Sequence, residues 1–144
     1  MNTSKQPMLE LALSIATEAH RRQFDKAGID YIEHPIFVAS QVDSEEEKAV
    51  ALLHDVIEDS SVTAEELLNA GLPETVVTAV QILSKKKGQD YQTYLENVKS
   101  NSLARVVKLA DLQHNSDLSR LSSVTDKDLE RLEKYKKAID YLSM

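Results

Sequence analysis

Apolar residues recur at helical spacing along almost the whole chain, and this regularity limits the fold more than any other feature of the sequence. One such stripe, with intervals of three and four residues, consists of Leu9, Ala12, Leu13, Ala16 and Ala19. No segment alternates apolar and polar residues as a half-buried strand does, and only three Gly and three Pro interrupt the pattern. The sequence therefore predicts an all-α fold of about seven to eight helices.

Capping residues predict where several of the helices begin. Candidates for N-caps that precede an apolar stripe are Ser44, Thr63, Asp90, and Asn101 or Ser102. The last helix is expected to begin near Thr125. The stripe after Ser44 predicts a third helix that continues without a break through Ile57. The stripe after Asn101 predicts a helix from Leu103 to about Leu121.

Length and charge exclude several classes of protein. A chain of 144 residues fits one hydrophobic core, so we expect residues 1–144 to form a single domain. The formal net charge of −7 disfavours binding to nucleic acids or anionic membranes, and no apolar run approaches the ~20 residues of a membrane span. The chain has no Cys, which excludes thiolate metal sites, and nothing in it resembles a signal peptide. We therefore expect a cytoplasmic protein.

The predicted third helix contains an acidic group that a buried helix should avoid. At about 100° per residue, His54 lies over Glu58 and Asp55 over Asp59, so all four share one sector. Desolvating an unpaired ion costs several kcal/mol, so a cation or an aqueous cleft must compensate if this sector faces inward. The alternative is a helix end at which His54 is a satisfied core residue and the acids are exposed.

Three of the four histidines have a carboxylate or an amide beside them in the sequence, and Asp111 interrupts an otherwise apolar helix. Imidazole nitrogens combined with carboxylate oxygens suit Mn²⁺ or Zn²⁺ more than Ca²⁺. The alternative for Asp111 is an ion pair with Lys108 or His114, one turn away on the same helix.

Five phrases carry a family resemblance: residues 16–20 (ATEAH), 26–28 (KAG), 31–35 (YIEHP), 51–59 (ALLHDVIED) and 107–115 (VKLADLQHN). In this order they resemble the HD-domain phosphohydrolases, and within them the hydrolase domain of the RelA/SpoT alarmone enzymes and the small alarmone hydrolases. The resemblance extends over nearly the whole chain. It implies a compact HD-domain helical bundle that hydrolyses a phosphate ester with a bound divalent metal.

The resemblance also implies roles for individual residues. The implied metal ligands are His34, His54, Asp55 and Asp111, with Mn²⁺ as the first choice and Zn²⁺ or another divalent ion as alternatives. Glu58 and Asp59 match the acids that position and activate the attacking water. The implied substrate-binding residues are Lys26, Tyr31, Asn115, Arg131 and Tyr135. The expected partner is a small phosphorylated nucleotide, from which the enzyme removes a pyrophosphate at the ribose 3′ position.

Two departures from the family pattern leave the base of the nucleotide open. Asp25 stands where the long alarmone enzymes have Arg, and Leu118 stands where a small hydroxyl residue is common. One alternative is therefore a phosphatase acting on another nucleotide, such as a nucleoside monophosphate or NADPH. Another is a nucleotide-binding module without turnover.

Some polar residues are expected to act indirectly or not at all. We expect His20 and His114 to orient ligands without binding the metal. We expect most charges of the last helix, and the loop of three lysines at positions 85–87, to be solvated. The alternative for this loop is that it closes over a ligand.

Overall fold

The structure is a computed structural model that describes residues 7–25, 27–121 and 123–144. These residues form nine α-helices, one 3₁₀ helix (Leu118–Arg120) and no strand, which confirms the all-α prediction. In chain order the α-helices are α1 (Met8–Ala19), α2 (Glu33–Ser40), α3 (Glu45–Leu53), α4 (Val56–Asp59), α5 (Ala64–Ala70), α6 (Glu74–Leu83), α7 (Tyr91–Ser100), α8 (Ser102–Asn115) and α9 (Asp126–Ser143). None of the helices in these ranges combines the length and the apolar character that a membrane span requires.

The predicted N-caps are confirmed at four helices, and the last helix begins at the expected position with Thr125 as its cap. Ser44, Thr63 and Thr125 each form a complete capping box with the acidic residue three positions later. Asp90 caps α7 and Asn101 caps α8, each by accepting a backbone N–H with its side chain. The starts of these helices are therefore fixed by local hydrogen bonds.

The predicted third helix is divided into α3 and α4, which is a correction to the unbroken helix expected through Ile57. The break lies at His54 and Asp55, where Asp55 adopts φ −103° and ψ −2°. His54 Nδ1 makes a 2.5 Å hydrogen bond to the Ala51 carbonyl oxygen. In a continuous helix that oxygen would accept from the N–H of Asp55, so the side chain competes with the helical hydrogen bond.

The helix predicted to reach Leu121 ends at Asn115 instead. Asp117 then caps the 3₁₀ helix by accepting from the backbone N–H of Ser119 at 3.0 Å. Ser116 Oγ donates to the Leu112 carbonyl at 2.6 Å. Asn, Ser and Asp side chains compete with helical hydrogen bonds in this way, which explains why the helix stops at a run of them.

Helix α3 lies at the centre of the fold. All residues from Ala49 to Leu53 are buried, and α1, α2, α6 and α8 pack against this helix. Helices α2 and α8 also contact each other. Side chains on the facing surfaces of α2, α3 and α8 are therefore brought together inside the protein.

Candidate active site

Two imidazoles and one carboxylate meet where α2, α3 and α8 converge. His34 lies on α2, His54 directly follows α3 and Asp111 lies on α8, and all three are buried. Asp111 Oδ1 is 2.7 Å from His34 Nε2 and 3.3 Å from His54 Nε2. One ligand atom from each residue lies within 4.8 Å of the other two. Three of the four residues predicted to bind a metal thus form one buried group.

Asp55, the fourth predicted ligand, lies beside this group. Its Oδ2 is 3.1 Å from His54 Nε2 and accepts a 2.5 Å hydrogen bond from the Tyr31 hydroxyl. Burial alone would raise the pKa of Asp55, but His54 and the Tyr31 hydrogen bond outweigh burial and lower that pKa to about 2. Asp55 is therefore ionised at neutral pH, and its negative charge lies next to the His54 ring.

A hydrogen bond on the other side of the His54 ring limits what this centre can hold. The Ala51 carbonyl only accepts hydrogen bonds, so the proton lies on His54 Nδ1. A neutral His54 then presents the lone pair of Nε2 to the carboxylates of Asp55 and Asp111. Burial alone would lower the pKa of His54, but these carboxylates outweigh it and raise that pKa well above its usual value. The arrangement therefore requires a cation at Nε2.

A proton is one cation that satisfies this requirement, and a divalent metal ion is the other. The group offers imidazole nitrogens from His34 and His54 together with the carboxylate oxygens of Asp111 and Asp55. Mixed nitrogen and oxygen ligands of this kind suit Zn²⁺ and Mn²⁺. The donor chemistry of the centre therefore fits a divalent metal.

Asp111 is held in place from its own helix. Lys108 Nζ lies 3.2 Å from Oδ2, and the Asn115 amide donates to Oδ1 at 3.2 Å. Burial alone would raise the pKa of Asp111. The charge of Lys108 has the largest opposing effect, and together with the hydrogen bonds to His34 and His54 it holds this pKa well below its usual value. The side chain of Lys108 is only 17% exposed. Asp111 therefore has both the ion pair with Lys108 that the alternative interpretation named and the contacts to the histidines that the metal site requires.

The two acids of α4 differ in their surroundings. Glu58 Oε1 accepts a 2.7 Å hydrogen bond from the Lys85 backbone N–H. Glu58 lines a cavity together with His54 and Asp55. Both residues are exposed, and partial desolvation together with the charges of Asp55 and Glu58 raises the pKa of Asp59 to about 6. Of the two, Glu58 therefore shares a cavity with the predicted metal ligands.

Four of the five predicted substrate-binding residues line one cavity of about 290 Å³. They are Tyr31, Asn115, Arg131 and Tyr135. The fifth, Lys26, lies outside the described residues. Asp25 and Leu118, the two departures from the family pattern, also line this cavity. The Asp25 carboxylate accepts from the backbone N–H groups of Ala27 and Ile29, at 2.8 and 3.0 Å, so it shapes the loop beside the cavity.

A second cavity of about 190 Å³ is lined by His54 and Asp55. Its lining includes Lys85, Lys108 and Lys134, and Tyr135 lines both cavities. Sequence reasoning missed Lys134, whose Nζ lies 4.1 Å from the centre of the Tyr91 ring. Its spacing of three residues from Arg131 places both on one side of α9, and this signal could have identified it. The other two lysines of the 85–87 loop are exposed.

Comparisons with known proteins give named relatives, although no family model matches the chain. The chain is 40% identical over 116 residues to a guanosine-3′,5′-bis(diphosphate) 3′-pyrophosphohydrolase of Haemophilus influenzae, covering 70% of this chain but only 17% of that protein. It is 37% identical over 123 residues to the bifunctional (p)ppGpp synthase/hydrolase SpoT of Escherichia coli, again spanning 17% of the relative.

Two further relatives are matched over most of their length. The guanosine-3′,5′-bis(diphosphate) 3′-pyrophosphohydrolase MESH1 of Danio rerio is 35% identical over 133 residues, which is 83% of this chain and 74% of the zebrafish protein. A solved structure, described as a metazoan orthologue of SpoT that hydrolyses ppGpp, has a TM-score of 0.78 and 26% identity. That match covers 98% of this chain and 88% of the other. The chain therefore belongs to the HD-domain family of RelA/SpoT-type guanosine-3′,5′-bis(diphosphate) 3′-pyrophosphohydrolases.

Proposed function

We propose that this chain is a metal-dependent phosphohydrolase that removes the 3′-pyrophosphate from guanosine tetraphosphate or a closely similar nucleotide. The observation that carries the proposal is the buried group of His34, His54 and Asp111. One cavity is lined by His54 itself, and the larger one by Tyr31 and Asn115, which hydrogen-bond to the carboxylates of the group. The activity named for the zebrafish relative supports the choice of substrate. Because the chain spans only 17% of the bifunctional Escherichia coli SpoT, the synthase activity of that protein is not part of the proposal.

His34, His54, Asp55 and Asp111 would hold the ion, with Mn²⁺ as the first choice and Zn²⁺ or another divalent ion as alternatives. Such an ion would polarise a phosphate oxygen and make a water acidic enough to attack near neutral pH. The Tyr31 hydroxyl would orient Asp55 through the 2.5 Å hydrogen bond between them.

Glu58 would accept the proton of the attacking water. The Lys85 N–H fixes Oε1, and within the described residues Oε2 has no hydrogen-bond partner. The second carboxylate oxygen is thus able to accept a proton inside the cavity that Glu58 shares with His54 and Asp55. Asp59 would assist in positioning the water.

The two cavities divide the recognition of a nucleotide between them. The larger one would take the nucleoside, with Asn115 at the sugar and Arg131 and Tyr135 at phosphate groups. The smaller one would take the leaving pyrophosphate, for which Lys134 and Lys85 supply positive charge. Local charge is required because the chain as a whole carries a net charge of −7. Lys26 stays a predicted substrate-binding residue.

We also propose that residues 1–144 act as one domain. A continuous core that includes Ala12 of α1 and Leu142 of α9 supports this proposal. A cytoplasmic location stays a prediction.

The first prediction concerns the substrate. With added Mn²⁺, the protein should release pyrophosphate from nucleotides that carry a 3′-pyrophosphate, and should not release phosphate from nucleoside 5′-monophosphates or from NADPH. The measurement is a panel of these nucleotides with separate detection of pyrophosphate and phosphate. Release of phosphate from either of the other classes would favour the alternative phosphatase. Binding of all the nucleotides without turnover would favour a binding module.

The second prediction concerns Glu58. The variant Glu58→Gln should lower kcat by about 10²- to 10⁴-fold because it cannot accept the water proton. Its affinity for Mn²⁺ should stay at the parent value, since Glu58 is not among the proposed ligands. Steady-state kinetics and metal titration measure the two quantities. The matched control is Glu65→Gln, which removes an exposed carboxylate from α5. Unchanged kcat in the Glu58 variant would remove this residue from the mechanism.

The third prediction concerns Lys134. The variant Lys134→Gln should raise KM by about tenfold, because a charge-assisted hydrogen bond contributes roughly 1.5–3 kcal/mol. It should also weaken inhibition by inorganic pyrophosphate. Lys136→Gln is the control, since it removes the same charge from the opposite side of α9. Equal changes in both variants would mean that only the overall charge matters.

A further inference from the structure

His114 contacts His34 through the ring nitrogen that Asp111 does not use. The Nδ1 atoms of the two histidines are 2.7 Å apart, and the rings are inclined by 9° with their centres 5.0 Å apart. At this distance the two nitrogens share one hydrogen, so one of them donates and the other accepts. The protonation of one ring therefore determines that of the other.

The position of the His114 ring is fixed from α2. Phe37 stacks on it, with ring centres 4.1 Å apart and an angle of 21° between the planes. His34 and Phe37 lie three residues apart on α2, whereas His114 lies on α8. The contact between the two histidines therefore depends on the packing of α2 against α8.

We infer that His114 is a positioning residue that sets the tautomer of His34. The inference rests on the metal site of the proposed function. For His34 Nε2 to bind a metal, its lone pair must be free, so the proton of a neutral ring must lie on Nδ1. An N–H at that buried position needs an acceptor, and His114 Nδ1 is in place to accept it.

The two metal-binding histidines obtain the required tautomer in different ways. His54 donates from Nδ1 to the Ala51 carbonyl, which can only accept. His34 donates instead to an imidazole, which can accept or donate according to its own tautomer. The tautomer of His54 is thus fixed, whereas that of His34 can change.

Each ring nitrogen of His34 therefore has one partner. Asp111 Oδ1 lies 2.7 Å from Nε2, and His114 Nδ1 lies 2.7 Å from Nδ1. A metal at Nε2 requires the His34 proton to lie on Nδ1, where His114 can accept it.

The test uses Zn²⁺ as the probe and two substitutions that separate the hydrogen bond from the ring. His114→Phe keeps an aromatic ring against Phe37 but has no acceptor. His114→Asn loses the ring but keeps an amide near the position of Nδ1. Calorimetric titration should show Zn²⁺ affinity weakened by about 10- to 100-fold in the Phe variant, the usual effect of removing a residue that orients a metal ligand. In the Asn variant the affinity should stay within a few-fold of the parent.

Nitrogen-15 NMR of the parent protein tests the same inference without any substitution. With Zn²⁺ bound, His34 Nδ1 should be protonated and His114 Nδ1 should not be. The control Gln113→Ala, at an exposed neighbouring position on α8, should leave both the tautomers and the Zn²⁺ affinity unchanged. A proton on His114 Nδ1 in the zinc-bound protein, or parent-like affinity in the Phe variant, would overturn the inference.

These measurements separate the inference from the proposed function, because none of them uses a nucleotide. A parent protein that binds Zn²⁺ but hydrolyses no nucleotide would refute the function and leave the inference intact. A parent that hydrolyses the nucleotide while His114→Phe binds Zn²⁺ normally would refute the inference alone. A parent that binds neither Zn²⁺ nor Mn²⁺ would refute both.

Discussion

The buried carboxylate of Asp111 is the group on which the rest of the site depends. It is 5% exposed, and an ionised carboxylate without partners in such a position would cost several kcal/mol. Its partners come from three places: His34 on α2, His54 after α3, and Lys108 on its own helix. Two of these three partners lie outside α8, so the full set of contacts to Asp111 requires α2, α3 and α8 to meet. The same requirement gathers the ligand set that suits a divalent metal.

Two tyrosines lie between the buried histidine and aspartate group and the cavities proposed to bind the nucleotide. Tyr31 donates to Asp55 and also lines the larger cavity. Tyr135 lines both cavities, beside Lys134 on the smaller one. A nucleotide that spans the two cavities would therefore contact side chains whose positions depend on the same packed helices. Arg131 at the larger cavity and Lys134 at the smaller one supply positive charge where phosphate groups would lie, although the protein as a whole is acidic.

The features that could be predicted from the sequence are those fixed by nearby residues. Capping boxes such as the one at Ser44 act within one turn, so helix starts were predictable. The break at His54 could not be predicted in this way. It arises because the His54 side chain bonds to the Ala51 carbonyl oxygen, which a backbone N–H would otherwise use in a continuous helix. The contact of Lys134 with the Tyr91 ring and the contact between His34 and His114 depend on packing between distant helices. Hydrophobic spacing predicts that such helices pack, but it does not specify which polar groups then meet.

Metal-edge X-ray absorption on the zinc-loaded protein, compared with the His34→Ala and His54→Ala variants, tests most directly whether this centre holds an ion. The account predicts two imidazole nitrogens at about 2.0–2.1 Å in the parent, and one fewer in each variant that still retains the metal. A first shell of oxygen atoms alone, or a shell that both substitutions leave unchanged, would contradict it.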